Sequence, residues 1–462
     1  MSPDNSTICA VSSPAGVGGI GVIRMSGPLA HAILRAIFRP RKPVRSLASH
    51  HLYLGHITDV ATNTDVDEVF AVSLKSPRTY TREPMAEVYS HGGLAAQRGV
   101  LGLMMKHGAR LAGPGEFTKR AFLNGRIDLT QAESVLDIIE SEDAEELRYA
   151  LMQAGGMLSG RINAARREIL ELLAEVEAEI DFPEEEIGMR PGCDRKGRIE
   201  ALRADISRLV SSYDAGRAIR QGLDVLIVGK TNVGKSSLLN ALVERERAIV
   251  TPIPGTTRDL VEDTLRVHGV KFVITDTAGL RAPGDADPIE KEGIDRVKKR
   301  VPEADIILWV IDASAPYGPE DDEVLRVVRG RRIVAVLNKA DLGRAIRDAD
   351  VAKVAFAAPA PLSVSARAGS GLDELKERLY AVFTEGRPRG PGPVITNMRH
   401  RDGLARAESA LGRASAVAGA ASPIEFLAFE LKEALFCLDG LTGEAASDEV
   451  LNEIFSRFCI GK

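Results

Sequence analysis

The chain has 462 residues, 44% hydrophobic and 27% charged, which is typical of a globular protein with more than one domain. Its net charge of −5 excludes a globally basic protein, so a nucleic acid would have to bind a local patch or another protein. No apolar run reaches the length of a membrane span, and the N-terminus shows no signal-peptide pattern. Four widely separated cysteines without a CxxC pair favour a reducing cytoplasm and no structural zinc site.

Residues 1–119 predict a small α+β domain. Strand-like runs cover residues 7–11, 21–25, 51–58 and 67–74, and helical patterns cover residues 29–38 and 93–107. The Gly-rich turn between the first two strands lacks the spacing of a dinucleotide fingerprint.

Residues 120–220 and 385–462 are helix-rich. Thr130 with Glu133 three residues later predicts a capping box, and Gly155-Gly156 predicts a break before a second helix over 162–180. A further helical stretch covers 195–220. We expect the two flanks to form one helical domain, with residues 221–384 inserted into it, because neither flank suffices to bury its apolar stripe. Two separate helical domains are the alternative.

Residues 221–384 alternate strands and helices, the pattern of a doubly wound, mostly parallel sheet. A P-loop, Gly229-x4-Gly234-Lys235-Ser236, lies between an apolar strand and a helix start. Its backbone N–H groups would surround phosphates, Lys235 would reach the β- and γ-phosphates, and Ser236 would bind Mg²⁺. The alternative, a chance Gly-rich turn, does not explain both flanking elements.

Three strand-end motifs follow the P-loop and predict a Ras-like G domain. DTAG begins at Asp276, which would hold Mg²⁺ through water, and NKAD ends at Asp341, whose carboxylate would accept from N1 and the 2-amino group of guanine. The SAR motif at 365–367 would offer a backbone N–H to the guanine oxygen. The loop 251–259 takes the place of switch I, and its Thr257 is the candidate for the second hydroxyl ligand of Mg²⁺; an ordinary surface loop is the alternative.

The predicted GTP-binding residues come from these five segments: Asn232, Val233, Gly234, Lys235, Ser236, Ser237, Thr251, Pro252, Ile253, Pro254, Gly255, Thr256, Thr257, Asp276, Thr277, Ala278, Gly279, Asn338, Lys339, Ala340, Asp341, Ser365, Ala366 and Arg367. Leu280 stands where small GTPases carry the glutamine that positions water. Glu290 is within reach of that role, but spacing alone favours a solvated helix-start glutamate.

Several motifs outside the G domain carry a resemblance to a known family. They are GGIGVIRMSG at 18–27, PGEFT at 114–118, RAFLNG at 120–125, DLTQAE at 128–133, TPIPGTTRD at 251–259 and FCIGK at 458–462. With them the whole chain resembles the tRNA-modification GTPase family, called MnmE or TrmE. The resemblance implies an α/β multidomain fold: an N-terminal α+β domain that dimerises and binds tetrahydrofolate, an α-helical domain, and an inserted P-loop GTPase domain.

The resemblance also implies a reaction and partners. A homodimer would act with the FAD-dependent MnmG (GidA), in a heterotetramer or larger complex, on tRNA in the cytoplasm and without a membrane. Together they would add an aminomethyl-type group, such as carboxymethylaminomethyl, at C5 of the wobble uridine. The one-carbon unit would come from 5-formyl- or 5,10-methylene-tetrahydrofolate, and GTP hydrolysis stimulated by K⁺ would drive conformational change.

Site residues follow from the same resemblance. The folate contacts correspond to Arg24, Glu87, Arg126 and Lys462, although Arg24 by spacing alone could be a surface strand residue. The K⁺ ligands correspond to Asn232, Thr251, Ile253 and Thr256. Glu290 corresponds to the water-orienting glutamate, with Glu292 as the alternative. Cys459 corresponds to the cysteine of the terminal motif, as a nucleophile or as a buried apolar thiol.

Two other classes of function compete with this one. A GTP-dependent ribosome assembly factor would share the switch loop, but no basic RNA-binding appendage follows residue 390. A structural scaffold would need an inert nucleotide site, and the intact Lys235, Ser236, Asp276 and Asp341 argue against it.

Overall fold

The computed structural model describes residues 5–14, 16–182, 194–247, 263–268, 270–276, 298–357, 360–385, 394–419 and 423–462. The chain forms two compact units. The first consists of Met1–Glu140, Tyr149–Ser207 and Asp402–Lys462, and the second of Ser141–Arg148 and Arg208–Arg401. Since most of the second unit lies between stretches of the first along the sequence, it is an insertion. Most of both helical flanks belongs to the first unit, whereas residues 141–148, 208–220 and 385–401 belong to the second. The boundaries at 119, 220 and 384 stay predictions.

A seven-stranded sheet, in the order β3-β4-β5-β6-β2-β1-β7, forms the N-terminal part of the first unit. Its strands are β1 (Ile8–Val11), β2 (Ile20–Ser26), β3 (Phe38–Pro40), β4 (Leu52–Asp59), β5 (Thr64–Leu74), β6 (Met85–His91) and β7 (Arg110–Leu111). Neighbours are antiparallel except β1 and β7. Helices α1 (Ala30–Ile37) and α2 (Leu94–Lys106) cover one face. The predicted α+β domain is confirmed, with β3, β6 and β7 added to it.

Five helices follow the sheet: α3 (Glu116–Leu123), α4 (Leu129–Glu140), α5 (Ala144–Ala154), α6 (Met157–Asp181) and α7 (Arg195–Ser211). The apolar stripe of α6 buries Ile162, Ile169 and Val176, seven residues apart, because that spacing returns to one face of a helix.

The predicted cap of α4 is wrong. Thr130 lies inside the helix, buried, and its hydroxyl donates to Asp128 Oδ1 at 2.7 Å. The cap is Asp128, which accepts from the Gln131 N–H at 3.0 Å, while Gln131 Oε1 accepts from the Asp128 N–H at 3.0 Å. The capping box therefore begins two residues earlier than predicted, since the side chains of Asp128 and Gln131 each accept from the other's backbone N–H.

A second break, which the sequence pattern did not predict, separates α4 from α5 at residues 141–143. Asp143 Oδ1 accepts from the N–H groups of Glu145 and Glu146, both at 2.8 Å, and so caps α5. The break at Gly155-Gly156 is as predicted, because Gly156 adopts a φ of 85° before α6 begins.

The second unit contains a six-stranded sheet in the order β13-β12-β11-β8-β10-β9. Its strands are β8 (Leu223–Val228), β9 (Asp263–Val267), β10 (Val270–Asp276), β11 (Ile306–Asp312), β12 (Ile333–Asn338) and β13 (Leu362–Ser363). All neighbours are parallel except β9 and β10. The accompanying helices are α8 (Tyr213–Gln221), α9 (Lys235–Arg247), α10 (Pro319–Val328), α11 (Asp348–Ala357) and α12 (Leu372–Thr384). This confirms the predicted doubly wound sheet.

The chain ends with α13 (Met398–Ala418), α14 (Ile424–Thr442) and α15 (Asp448–Ser456). Helix α14 packs on α6 in the first unit and buries Leu427, Leu431 and Leu438. No helix in the described part of the chain is long and apolar enough to cross a membrane.

Candidate functional site

The phosphate-binding loop lies between β8 and α9, as its motif predicts. Gly229 and Gly234 adopt φ values of 153° and 92°. A Cβ atom on Gly229 would lie 2.3 Å from the Val310 carbonyl oxygen, and one on Gly234 would lie 2.5 Å from Asn338 Nδ2. Only glycine fits these two positions, so the loop turns tightly against β11 and β12 and ends at the N-terminus of α9.

Lys235 folds back over this loop. Its ammonium group donates to the carbonyl oxygens of Gly229 at 2.9 Å and Lys230 at 2.8 Å. Ser236 and Ser237 are exposed in the first turn of α9. The lysine cation and an exposed serine hydroxyl thus stand together at a helix N-terminus, where phosphate and its metal ion bind favourably.

Asn338 joins the predicted base-recognition loops to the P-loop. Its Nδ2 donates to the Val233 carbonyl oxygen at 2.8 Å, and its Oδ1 accepts from the Ala366 N–H at 3.1 Å. The side chain is buried. Three predicted segments that are distant in sequence therefore meet at one asparagine.

Asp341 is exposed and held in place from one side. Ser365 Oγ donates to Asp341 Oδ1 at 2.6 Å, and the Ala368 N–H donates to Ser365 Oγ at 3.0 Å. Ala340 and Arg367 are also exposed on the same two loops. The carboxylate is oriented by protein and open to a ligand, as a guanine-reading group must be.

Asp312, at the end of β11, is a site residue that the sequence analysis missed. Lys339 Nζ donates to Asp312 Oδ2 at 2.7 Å and to the Asn232 carbonyl oxygen at 2.7 Å. Burial alone would raise the pKa of Asp312, but hydrogen bonds from Lys339 and Ser314 outweigh it and lower the pKa. The sequence held a signal, because Asp312 directly follows the apolar run 306–311, just as Asn338 follows the apolar run 333–337.

Replacing Asp312 by Asn should weaken GDP binding roughly tenfold, because Lys339 loses a charge-assisted hydrogen bond. The lowered pKa keeps Asp312 ionised at neutral pH, and its contribution to binding disappears only when the pH falls through that pKa. The weakening caused by Asp312→Asn should therefore be the same at every pH near neutrality. Titration with a fluorescent GDP analogue measures it. Asp348→Asn is the matched control, since that side chain is 93% exposed; an equal loss in both variants would contradict the role of Asp312.

Some predicted residues cannot be compared with the structure. Asp276 ends β10, and its side chain lies outside the described part, as do the residues 251–257, 277–279, 290 and 292. The predictions for Thr251, Pro252, Ile253, Pro254, Gly255, Thr256, Thr257, Thr277, Ala278, Gly279, Glu290 and Glu292 therefore stay predictions.

A second cluster lies on the sheet face opposite α1 and α2. Alternation along β2 buries Ile23 and Met25 towards the helices and places Arg24 on the other face. There Arg24 Nε donates to Glu87 Oε1 at 2.9 Å, and the Tyr89 hydroxyl donates to Glu87 Oε2 at 2.8 Å. Burial, followed by the bond to Glu87, raises the pKa of Tyr89 to about 12. Arg24 is thus a partly buried strand residue paired with Glu87, and its role in folate binding stays a prediction.

Tyr80 connects the two predicted arginines, and the sequence analysis did not single it out. The Arg126 guanidinium carbon lies 4.6 Å from the centre of the Tyr80 ring, and Arg126 Nη1 donates to the Tyr80 carbonyl oxygen at 3.0 Å. The Arg24 guanidinium carbon lies 5.8 Å from the centre of the Tyr80 ring and 5.8 Å from that of Phe117. Arg24, Glu87 and Arg126 thus form one cluster around an aromatic ring.

The C-terminal tail packs against the N-terminal part of the first unit. The Gly115 N–H donates to the Cys459 carbonyl oxygen at 3.4 Å, and the Phe117 N–H donates to the Lys462 carbonyl oxygen at 3.2 Å. Ser12 Oγ donates to the Gly461 carbonyl oxygen at 3.0 Å. The tail therefore reaches Phe117, which borders the Arg24 cluster.

Cys459 itself is exposed, so the alternative of a buried apolar thiol is wrong. Phe455 and Phe458 are buried, whereas Ile460 is 58% exposed. The phenylalanines anchor the tail and leave the thiol at the surface.

The doubly wound sheet, the P-loop and the joined NKAD and SAR loops define a P-loop GTPase of the Ras-like class. The "MnmE helical domain" family model matches residues 129–459, and the "GTP-binding protein TrmE N-terminus" model matches residues 7–126. Over 99% of both chains, the sequence is 42% identical to the tRNA modification GTPases MnmE of Geobacter sulfurreducens and Carboxydothermus hydrogenoformans. The chain belongs to the tRNA modification GTPase MnmE family.

Among solved structures, Aquifex aeolicus Era bound to GDP·AlF4⁻ is 29% identical, covers 41% of this chain and 66% of its own, and has a TM-score of 0.27. The family membership makes the chain a GTP-binding GTP hydrolase that acts in tRNA modification. It decides against the assembly-factor and scaffold alternatives.

Proposed function

We propose that the chain, with the FAD-dependent MnmG (GidA), adds an aminomethyl-type group, such as carboxymethylaminomethyl, at C5 of the wobble uridine of certain tRNAs. The one-carbon unit comes from 5-formyl- or 5,10-methylene-tetrahydrofolate, and K⁺-stimulated GTP hydrolysis supplies the conformational work. The observation that carries the proposal is the cluster of Arg24, Glu87 and Arg126 around Tyr80, with the C-terminal tail at its border.

The cluster fits a folate chemically. A folate has a flat pterin with N–H donors and a glutamate tail with carboxylates. Glu87 can accept from the pterin, and Arg24 and Arg126, both held over the Tyr80 ring, can pair with carboxylates or carbonyls. When bound, the folate supplies the one-carbon unit; the residues around it orient the carrier, and Lys462 extends the cation set from the tail.

The nucleotide site fits Mg²⁺ bound mainly through phosphate oxygens and hydroxyls. No group of three or more His, Cys, Asp or Glu side chains suited to a metal occurs in the described ranges. Ser236 is exposed in the first turn of α9, and with Thr257 it would supply hydroxyl ligands. Asn232, with a φ of 62° and an exposed side chain, would bind K⁺ together with Thr251, Ile253 and Thr256. Glu290, or Glu292, would orient the attacking water.

The open sheet face supports a homodimer. Leu52 is 61% exposed and Phe70 49% exposed, and Phe70 pairs in register with Leu54 and Tyr89. An apolar sheet face beside a binding cluster suits the same face of a second copy. A cytoplasmic reaction agrees with the chemistry of Cys9, Cys437 and Cys459, which form no disulfide among the described residues.

Replacing Glu87 by Gln should weaken binding of 5-formyltetrahydrofolate by roughly 10–100-fold, because a charge-assisted hydrogen bond to the pterin is lost. Equilibrium binding to the full chain measures this. The matched control is Glu453→Gln, an exposed carboxylate on α15. If both variants bind like the wild type, the cluster is not a folate site.

Mass spectrometry of tRNA nucleosides tests the reaction. Cells lacking the gene should lose aminomethyl-type wobble uridines. The intact gene should restore them, and a gene lacking Cys459–Lys462 should not. An unchanged nucleoside profile in the deletion strain would refute the proposed reaction.

A further inference from the structure

One stretch near the N-terminus contains basic but no acidic residues. Residues 5–58 contain no aspartate or glutamate, although the chain has 65 of these residues and a net charge of −5. The same stretch carries six cations: Arg24, Arg35, Arg39, Arg41, Lys42 and Arg45. Apart from Arg24, which pairs with Glu87, all of them are exposed.

The fold adds two more cations to this group. β3 is one of the two edge strands of the N-terminal sheet, and residues 41–51 connect it to β4. That connection is tied to the loop after β5, because the Lys75 N–H donates to Ser49 Oγ at 3.0 Å and His50 Nε2 lies 2.8 Å from the Arg78 carbonyl oxygen. Lys75 and Arg78 are exposed there. We call this set the basic edge: Arg35, Arg39, Arg41, Lys42, Arg45, Lys75 and Arg78.

Among the described residues, Glu68 is the carboxylate that pairs with the basic edge. Glu68 lies 3.9 Å from Arg41 and 4.0 Å from His56, and both members of the Arg41–Glu68 pair are exposed, so water screens it. The next carboxylate on β5, Asp67, is bound to His91 at 2.7 Å. The basic edge is therefore a local cluster of seven exposed cations on a chain that is negative overall.

We propose that the basic edge binds the phosphate backbone of tRNA. Exposed arginines and lysines on a sheet rim suit the oxygens of a phosphate backbone. The loop that carries Lys75 and Arg78 continues to Tyr80, so RNA bound at the edge adjoins the Arg24–Glu87–Arg126 cluster. The family acts on tRNA, and the inference rests on the proposed function in taking that cluster as the one-carbon site.

The test compares two triple variants of the full chain. Arg41→Gln/Lys42→Gln/Arg45→Gln removes three cations of the basic edge. Arg98→Gln/Arg161→Gln/Arg167→Gln removes three exposed cations elsewhere in the first unit, with the same change of charge. The probe is a fluorescent transcript of a tRNA with a wobble uridine, titrated by anisotropy at several KCl concentrations.

The basic-edge variant should bind about tenfold more weakly near ~0.1 M salt, and the slope of log affinity against log salt should fall by about 2–3. The control variant should stay within about twofold of the wild type. Retained GTP hydrolysis and thermal unfolding establish that each variant is folded; if the triple does not fold, Lys42→Gln and Arg45→Gln singly should each lower the slope by about one.

Three outcomes would overturn the inference: equal losses in both triples, no loss in either, or no tRNA binding by the wild type. Vesicles containing phosphatidylserine test the other anionic surface; loss of vesicle binding with unchanged tRNA binding would assign the edge to membranes instead. Folate binding, measured on the same samples, should be unchanged in both triple variants. It therefore distinguishes a failure of the basic-edge proposal from a failure of the proposed function.

Discussion

Asp341→Asn should weaken GTP binding by roughly 10²–10⁴-fold, because two hydrogen bonds from guanine to a charged acceptor are lost. The carboxylate is held by Ser365 Oγ at 2.6 Å and is otherwise exposed, so the structure keeps it oriented for a base. Guanine presents N1–H and a 2-amino group, which are both donors. An asparagine in that position can accept from only one of these two donors, through its amide oxygen. Its NH₂ group, itself a donor, then faces the second donor of guanine.

The same variant should gain affinity for XTP, because xanthine carries an oxygen where guanine has its 2-amino group. Competition against a fluorescent GDP analogue measures both affinities. Ser365→Ala is the informative control: it removes the support of Asp341 but not the carboxylate, so GTP binding should weaken roughly tenfold without a gain for XTP. Unchanged preference for GTP over XTP in Asp341→Asn would show that this loop does not read the base.

Gly461→Ala should release the C-terminal tail and abolish the proposed folate binding. Gly461 has a φ of 97°, and a Cβ atom there would lie 2.4 Å from the Val11 carbonyl oxygen and 3.1 Å from Ser12 Cα. Both obstacles are backbone and cannot rotate away. Strain and overlap together cost about 2–4 kcal/mol, which exceeds what the few hydrogen bonds of residues 459–462, beyond the Phe458 anchor, contribute.

Hydrogen exchange measures the release directly. The N–H groups of Gly115 and Phe117, which donate to Cys459 and Lys462, should lose protection while the sheet keeps it. Gly102→Ala is the control, since no atom lies within 4 Å of a Cβ atom there and the position is inside α2. Alanine should stabilise that helix slightly. Normal protection and normal folate binding in Gly461→Ala would contradict a role for the tail in the site.

Local patterns in the sequence were sufficient for the main elements. The apolar runs of β8, β11 and β12 are buried on both faces, so a continuous hydrophobic stretch identifies them. The P-loop and the NKAD motif have fixed spacings because each binds one ligand with consecutive residues. These motifs lie on the loops that meet at Asn338, whose side chain joins the P-loop to the SAR loop.

Capping and helix breaks were predicted less well, because several polar residues compete for the same N–H groups. Thr130 and Asp128 both precede the α4 stripe, and the buried Ser159 hydroxyl, 2.9 Å from that of Thr130, makes the threonine part of the interior. At the second break, Glu142 and Asp143 pair with Arg266 in β9, a contact from more than a hundred residues away. No local pattern contains that partner.

The sequence by itself determined the class of protein: an inserted Ras-like GTPase domain, an α+β domain and helical flanks, with the nucleotide-binding residues in order. Tertiary structure alone decided that Asp312 holds Lys339 and that Tyr80 contacts both Arg24 and Arg126. It also decided that the tail ends beside Phe117 and that Lys75 and Arg78 join the basic edge. The reason is physical: a motif records what consecutive residues do to one ligand, whereas these contacts join residues distant along the chain, and folding brings them together.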